Sequence, residues 1–340
     1  MNICATTSIF AGDKTYDPVF ERIDKIVKCG INTIRFNIKV IDAENAILLK
    51  KIVSTLKLKY PSVQILLDLP LPKKKPRVRV LTDCTSLRLL KDDIVYFVND
   101  LLVGEELIQK NENINCVFVK DLVNIKSIIN IDNEIYYDDG KGCFKFIEHI
   151  NNNCIKAKSI SKIVIYDNKS LPYPIPNVLT NEDVIMLKNL IADIKPYIVA
   201  FSFIESKDDL ILIKGILNDQ SVKVMCKIET QKSVKQLEDF IDKTDYIMIA
   251  RGDLGYDIEL NTLLETQEKL IKVAQQYHKK VYIATDFLSS LQFRVVPSRS
   301  DIIDLSVCAL QKPDGIILNA SIANVELAMK YITDIIPDII

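Results

Sequence analysis

Eight short apolar runs, at about residues 3–9, 33–38, 63–69, 197–204, 223–229, 246–251, 281–286 and 315–319, alternate with stretches of helical period near 17–29, 42–59, 181–194, 206–217, 231–242, 261–278, 299–311 and 322–335. Runs this short and apolar throughout lack a solvated face, which is the pattern of parallel strands covered on both sides. Parallel strands need a long crossover, and a helix after each strand supplies it. Eight strand and helix pairs predict an α/β fold, a closed (β/α)8 TIM barrel whose strands all open at their C-terminal ends on one face. Helix starts agree with the count. Thr180 before Asn-Glu-Asp and Ser206 before Lys-Asp-Asp set a capping oxygen and acids at helix N-termini, and Pro297-Ser-Arg-Ser-Asp opens the seventh helix.

One stretch, roughly 70–176, breaks this rhythm and is far too long for a loop. Short β-type runs such as Ile94–Val98, Cys116–Val119, Glu134–Tyr137 and Ile163–Tyr166, separated by Asn, Asp and Gly turns, predict a small β-rich domain inserted after the third strand. The barrel is then expected from 1–69 and 177–340. The Pro-rich borders Leu69-Pro-Leu-Pro72 and Leu171-Pro-Tyr-Pro-Ile-Pro176 predict stiff hinges, and an insertion at the C-terminal face of a barrel is placed to act as a lid that excludes water.

Charges appear where a buried strand would normally exclude them. Val224-Met-Cys-Lys-Ile-Glu229 ends in Lys227 and Glu229, two residues apart and therefore on one face. In the following Ala250-Arg-Gly-Asp-Leu-Gly255, Asp253 is expected in a tight glycine-flanked turn. From there it can join Glu229 as a hard oxygen ligand for a divalent cation, with the amides of Gly252 and Asp253 facing an anion. A metal-bound carboxylate or phosphate is the guest these residues predict. At 340 residues, 48% hydrophobic and with a net charge of −1, the chain can bury a large core and has no electrostatic bias toward nucleic acid or membrane. Eight cysteines without CxxC or zinc spacing predict buried thiols rather than disulfides or structural zinc. Without a leader-like N-terminus or a membrane-length apolar run, a cytoplasmic location is expected.

Lys227-Ile-Glu229, Ala250-Arg-Gly-Asp-Leu-Gly255, Ala284-Thr285 and Pro297-Ser-Arg-Ser-Asp-Ile-Ile-Asp304, taken in this order and spacing, resemble the pyruvate kinase family. Cys29-Gly-Ile-Asn-Thr-Ile-Arg-Phe-Asn37 and Leu66-Leu-Asp68 resemble its arginine–asparagine strand and its cation-binding aspartate strand, and Asp138-Asp-Gly140 the turn of its inserted domain. The resemblance covers most of the chain. It implies a glycolytic phosphotransferase that converts phosphoenolpyruvate and ADP to pyruvate and ATP through a metal-bound enolate. Glu229 and Asp253 would hold Mg2+ or Mn2+, and Lys227 would neutralise the transferring phosphoryl group or the enolate oxygen. Gly252 and Asp253 would hold the carboxylate, Thr285 would lie on the proton path, and Arg35 would grip phosphate. Asn37 and Asp68 would belong to the monovalent cation (K+) site.

Departures crowd the nucleotide and potassium side. Lys39, Val40 and Ile41 replace the family's serine, histidine and glycine. The DTKGPEIR segment reads Asp68-Leu-Pro-Leu-Pro-Lys-Lys-Lys75, the Gly-Pro turn of the first strand is missing, and the SGETA segment is Asn319-Ala-Ser-Ile-Ala323. Lys73 stands where some members carry a lysine in place of potassium, and Lys75 stands for the arginine as a substrate-binding residue. Two other functions stay open: a nucleotide-independent enolate enzyme of the pyruvate or oxaloacetate lyase or decarboxylase type, and an inactive binding relative. Structural roles stay open as well. Arg35 and Asn37 can close the barrel by a salt bridge, Asp68 can cap its strand, Lys73–Lys75 can be a solvated face, and Asp138 and Asp139 can be turn residues. His149 and His278 have no assigned role. Most family members continue into a further α/β domain that carries effector binding, so regulation of that kind is not expected here, and self-association is left open.

Overall fold

A computed structural model describes the chain apart from residues 8–15, 39–42, 82–85, 111–113, 127–133, 139, 168, 218–220, 320, 321, 323 and 338–340. Lys39, Val40, Ile41, Asp139, Ala320, Ser321 and Ala323, named above, lie outside the described residues, as does one of the eight cysteines, Cys84. Strands β1 (Asn2–Thr7), β2 (Thr33–Asn37), β3 (Gln64–Lys74), β4 (Ile198–Ser202), β5 (Lys223–Ile228), β6 (Tyr246–Ala250), β7 (Lys280–Ala284) and β8 (Gly315–Leu318) pair in parallel in that order. The ring closes where Cys4 of β1 aligns with Ile317 of β8, giving the (β/α)8 barrel. Helices α1 (Tyr16–Lys28), α2 (Ala43–Lys59), α3 (Asn181–Ile194), α4 (Lys207–Lys214), α5 (Gln231–Phe240), α6 (Leu263–Gln276), α7 (Arg299–Gln311) and α8 (Val325–Ile335) follow the strands. Thr180, Ser206, Thr230 and Ser298 cap four of them, each accepting from the amide three residues on.

Strand alternation sorts the core into two layers. Outward residues such as Ile34, Phe36, Leu67, Phe201, Ile228, Ile249 and Ile283 pack against Ile23, Ile26, Ile52 and Leu56 of the helices. Inward residues Cys4, Leu66, Ile198, Ala200, Met225, Tyr246, Met248, Tyr282, Ala284 and Ile317 fill the barrel. Each fully buried Leu, Ile, Phe or Met among these contributes about 1.5–3 kcal/mol.

Two local expectations are corrected. The segment Arg251–Asp257 is a short helix rather than a tight turn. Neither Gly252 nor Gly255 has a positive φ, so these glycines serve close packing rather than chain reversal. Strand β3 runs five residues past Leu69, because proline's fixed φ suits extended backbone at a strand end where the missing N–H is not needed. Its far end pairs antiparallel with Ile175–Pro176.

The chain divides into two compact units, Met1–Pro72 with Asn177–Ile340, and Lys73–Pro176. The second unit has its own six-stranded sheet, in the order Val78–Val80, Asn115–Val119, Ile94–Val98, Cys154–Ser159, Gly142–Asn151, Glu134–Tyr137. Its core is mostly aliphatic around a group of aromatic rings, with Phe97 and Phe144 edge to face at 5.3 Å. Helices Leu101–Lys110 and Leu122–Lys126 were not legible among its β-type runs. Asp138, with φ 45°, pairs with Lys141 at 2.9 Å and Lys169 at 3.0 Å. Burial pushes its carboxyl up, but the two lysines outweigh burial and hold it below the usual carboxylate range. The seven described cysteines are free thiols. Among the described residues no helix is long and apolar enough to cross a membrane.

Candidate active site

Inward parity and strand ends together decide which side chains meet. Arg35 on β2, Asp68 on β3, Ser202 on β4 and Lys227 on β5 all point inward, one level above the apolar layer, and Glu229 follows β5 directly. Asn37 aligns with Asp68, and Asp68 with Ala200, so Asp68 stands level with the end of β2 and two residues short of the end of β4, while β3 itself runs on. Asp68 is only 1% exposed and accepts at Oδ2 from Arg35 Nε at 2.9 Å and Nη2 at 2.5 Å. Its Oδ1 faces Lys227 Nζ at 3.4 Å. The same ammonium donates to Ser202 Oγ at 3.0 Å and pairs with Glu229 Oε1 at 3.0 Å. Two cations thus interleave with two carboxylates, a neutral arrangement in which every buried charge has a partner, as a low-dielectric interior requires.

The chain tightens this arrangement with groups that motif reading did not single out. Thr6 on β1 accepts from Arg35 Nη1 at 2.9 Å. The Phe203 amide donates to Glu229 Oε2 at 2.7 Å, and Phe203 reaches that position with φ 55°, a left-handed conformation that costs a bulky residue about 1–3 kcal/mol. Ser202 and Thr6 were within reach of sequence reasoning. Each lies at the end of its strand with the same inward parity as Arg35 and Asp68. The Phe203 contact had no sequence signal, because it depends on a backbone turn.

Gly252 and Asp253 open the short helix after β6, next to the turn that follows β7. A Cβ on Gly252 would lie 2.9 Å from Thr285 Cγ2, so only glycine lets the Thr285 side chain rest there. Arg251 Nη2 donates to the Thr285 carbonyl at 2.5 Å, which ties the short helix to the turn after β7. Asn37 is half-buried. Lys73 and Lys75 begin the other unit, where both are half-buried and Lys73 aligns with Pro176.

The Glu229 carboxylate suits a hard divalent cation, for which Asp253 would be the second oxygen ligand. Each Glu229 oxygen carries one protein hydrogen bond or ion pair and keeps acceptor capacity, and such ions take one or two carboxylates together with substrate oxygens. That mode needs no larger protein cage, in keeping with the lack of any cluster of three or more His, Cys, Asp or Glu able to hold a metal among the described residues. A monovalent cation on Asn37 and Asp68 does not fit in the same way. Asp68 already faces two cations, which repel a third.

A family model described as pyruvate kinase, barrel domain, matches residues 6–332. Among curated proteins, the pyruvate kinase of Kluyveromyces lactis is 32% identical over 209 residues, 60% of this chain and 42% of that protein. Pyruvate kinase 1 of Saccharomyces cerevisiae is 29% identical over 221 residues, covering 63% of this chain and 44% of its own length. Pyruvate kinase 2 of the same yeast is 26% identical over 315 residues, covering 89% and 60%. The chain spans less than two thirds of each of these relatives.

Proposed function

Because this chain belongs to the pyruvate kinase family, we propose that its barrel transfers the phosphoryl group of phosphoenolpyruvate to ADP and protonates the enolate to pyruvate. The observation that carries this reading is the fixed Lys227 ammonium, held by Glu229, Ser202 and Asp68 at the C-terminal end of β5. Phosphoryl transfer asks a protein chiefly for positioned charge, and a cation that cannot wander supplies it without reorganisation in the transition state. Arg35 spends three N–H groups on Asp68 and Thr6 and keeps two of its five for phosphate. Glu229 and Asp253 would hold a divalent cation, which when bound would draw charge from the phosphoryl and enolate oxygens. The Gly252 and Asp253 amides orient the substrate carboxylate, and the Thr285 hydroxyl guides the proton to the methylene carbon. Because Asp68 is neutralised within the protein, we infer that turnover does not depend on potassium.

The test is pyruvate formation from phosphoenolpyruvate and ADP with Mg2+ or Mn2+, with and without potassium, against Lys227→Met. We expect a loss of about 10³-fold or more in the variant, as for removal of a preorganised charge. No pyruvate from folded wild-type protein with either metal would overturn the reading. The replaced residues after Asp68 favour a second reading, enolate chemistry without nucleotide, and calorimetric titration with ADP separates the two.

A further inference from the structure

Arg251 does more than open the short helix after β6. Its Nη1 and Nη2 donate to Asp304 Oδ1 at 2.6 Å and Oδ2 at 2.9 Å, a bidentate fork onto α7. Its Nη2 also donates to the Thr285 carbonyl, and the guanidinium stacks on the buried Phe287 ring at 4.3 Å from the centroid. The backbone that this one group grips is unusual. Thr285, Asp286 and Leu288 have φ of 83°, 64° and 52°, conformations that non-glycine residues hold only when their surroundings impose them. On the opposite side, Thr285 Cγ2 sits against Gly252, with no room for a Cβ.

Resting on the reading above, we propose that the Arg251–Asp304 pair is the positioning device for Thr285: it sets where that hydroxyl stands relative to Gly252 and Asp253 at the start of the short helix, and so governs proton delivery rather than ligand capture. Arg251 touches no reacting atom in this scheme. It acts through Thr285, one bond away along the chain from the carbonyl it holds. Only a planar fork can meet both Asp304 oxygens and the carbonyl together while lying flat on a ring, so lysine is not a conservative replacement. The Arg251 side chain is 11% exposed and that of Asp304 35%, so this bidentate pair also contributes to stability, and a positioning role is told apart by proton exchange falling more than affinity. The far end of the same loop is anchored independently, since Ser290 Oγ accepts from the Ser298 amide at 2.8 Å and donates to Asp301 at the start of α7. Loss of Arg251 therefore leaves the loop attached and its first turn unguided.

Wild type, Arg251→Lys, Asp304→Asn and Gly252→Ala are compared by exchange of pyruvate methyl protons with deuterated solvent, by Mn2+-dependent affinity for oxalate, a planar dianion resembling the enolate, and by melting temperature. For Arg251→Lys and Asp304→Asn we expect proton exchange to fall about 10- to 100-fold, the scale of an ångström-level misplacement, with oxalate affinity changed less than about threefold. Gly252→Ala should lower exchange from the other side by pushing Thr285 away. Exchange and affinity falling in step, or exchange unchanged in Arg251→Lys, would overturn the proposal. If the wild type neither forms pyruvate nor exchanges protons, the functional reading fails, and the positioning claim is judged separately by amide hydrogen exchange. In that case faster exchange at residues 285–288 in Arg251→Lys supports it, and unchanged protection rejects it.

Discussion

The barrel interior holds two regions built from the same strands with the same parity, and they have opposite chemistry. Below, Leu66, Met225, Tyr246, Met248 and Tyr282 interlock, with the Tyr246 and Tyr282 rings 5.9 Å apart and none of the five more than 4% exposed. One inward position further along, Arg35, Asp68, Ser202 and Lys227 stand in place of hydrocarbon. Apart from a register shift between Phe201 and Ser202, where Ser202 aligns with Pro72, the strands keep their pairing between the two levels, and the change lies mainly in the residues. The lower region gains stability by removing apolar surface from water. The upper region must desolvate four charges, and their mutual pairing offsets that cost without exceeding it by much. A barrel can carry such a region because its apolar layers, in the lower interior and between strands and helices, stabilise the fold, which leaves the strand ends for chemistry.

The largest blow to this division of labour is Asp68→Ala. It leaves Arg35 and Lys227 facing each other across a site without their shared counter-ion, and we expect a stability loss of about 3–5 kcal/mol in urea denaturation together with loss of activity. A loss below about 1 kcal/mol would mean the upper charges are as well hydrated as a surface, and the comparison would fail. Met248→Ala probes the other half. Truncating a buried methionine should cost about 2–5 kcal/mol, depending on how far its neighbours collapse, while kcat of the surviving folded protein changes less than threefold. If Met248→Ala altered kcat as strongly as stability, the lower layer would be part of the catalytic unit, not only its support.

How much of this was legible in the sequence follows the same divide. The strands and helices were readable because apolar periodicity is local, and α3 and α7 begin and end where the pattern put them. Lys227, Glu229, Arg35 and Asp68 were readable because a charge at the end of an apolar run is conspicuous, and the structure brings these four together. What holds them was not. The Phe203 amide and the Thr285 carbonyl are backbone groups present at every residue, so nothing in composition marks them. The Arg251–Asp304 contact joins residues 53 apart through a turn whose positive φ values arise only in the folded chain. The helix Leu101–Lys110 escaped for a different reason. It contains Gly104, a poor helix former, yet a Cβ there would lie 2.3 Å from Leu81 Cδ1, so close packing outweighs propensity.

The smallest expected effect sits on the boundary between the two regions. Cys4 is inward-facing and fully buried in the apolar layer, yet close enough to the upper charges to feel Arg35 and Asp68. Burial dominates and pushes its thiol up to about 12 from an ordinary value of 9.0, with Arg35 opposing and Asp68 adding. In the unfolded chain the thiol loses its proton above about pH 9, while in the folded barrel it keeps it until about pH 12. The folded state then binds more protons, so the contribution of Cys4 is fully present below pH 9 and is lost as pH rises through that window. The slope is at most about 1.4 kcal/mol per pH unit for one thiol. Other buried thiols and tyrosines titrate nearby, so the informative quantity is the difference between wild type and Cys4→Ala. Urea denaturation at pH 8, 9 and 10 should show the variant losing stability less steeply above pH 9. Identical slopes would mean that the Arg35 guanidinium stabilises the thiolate as effectively as water does, which would place Cys4 with the charged region and move the boundary one layer down.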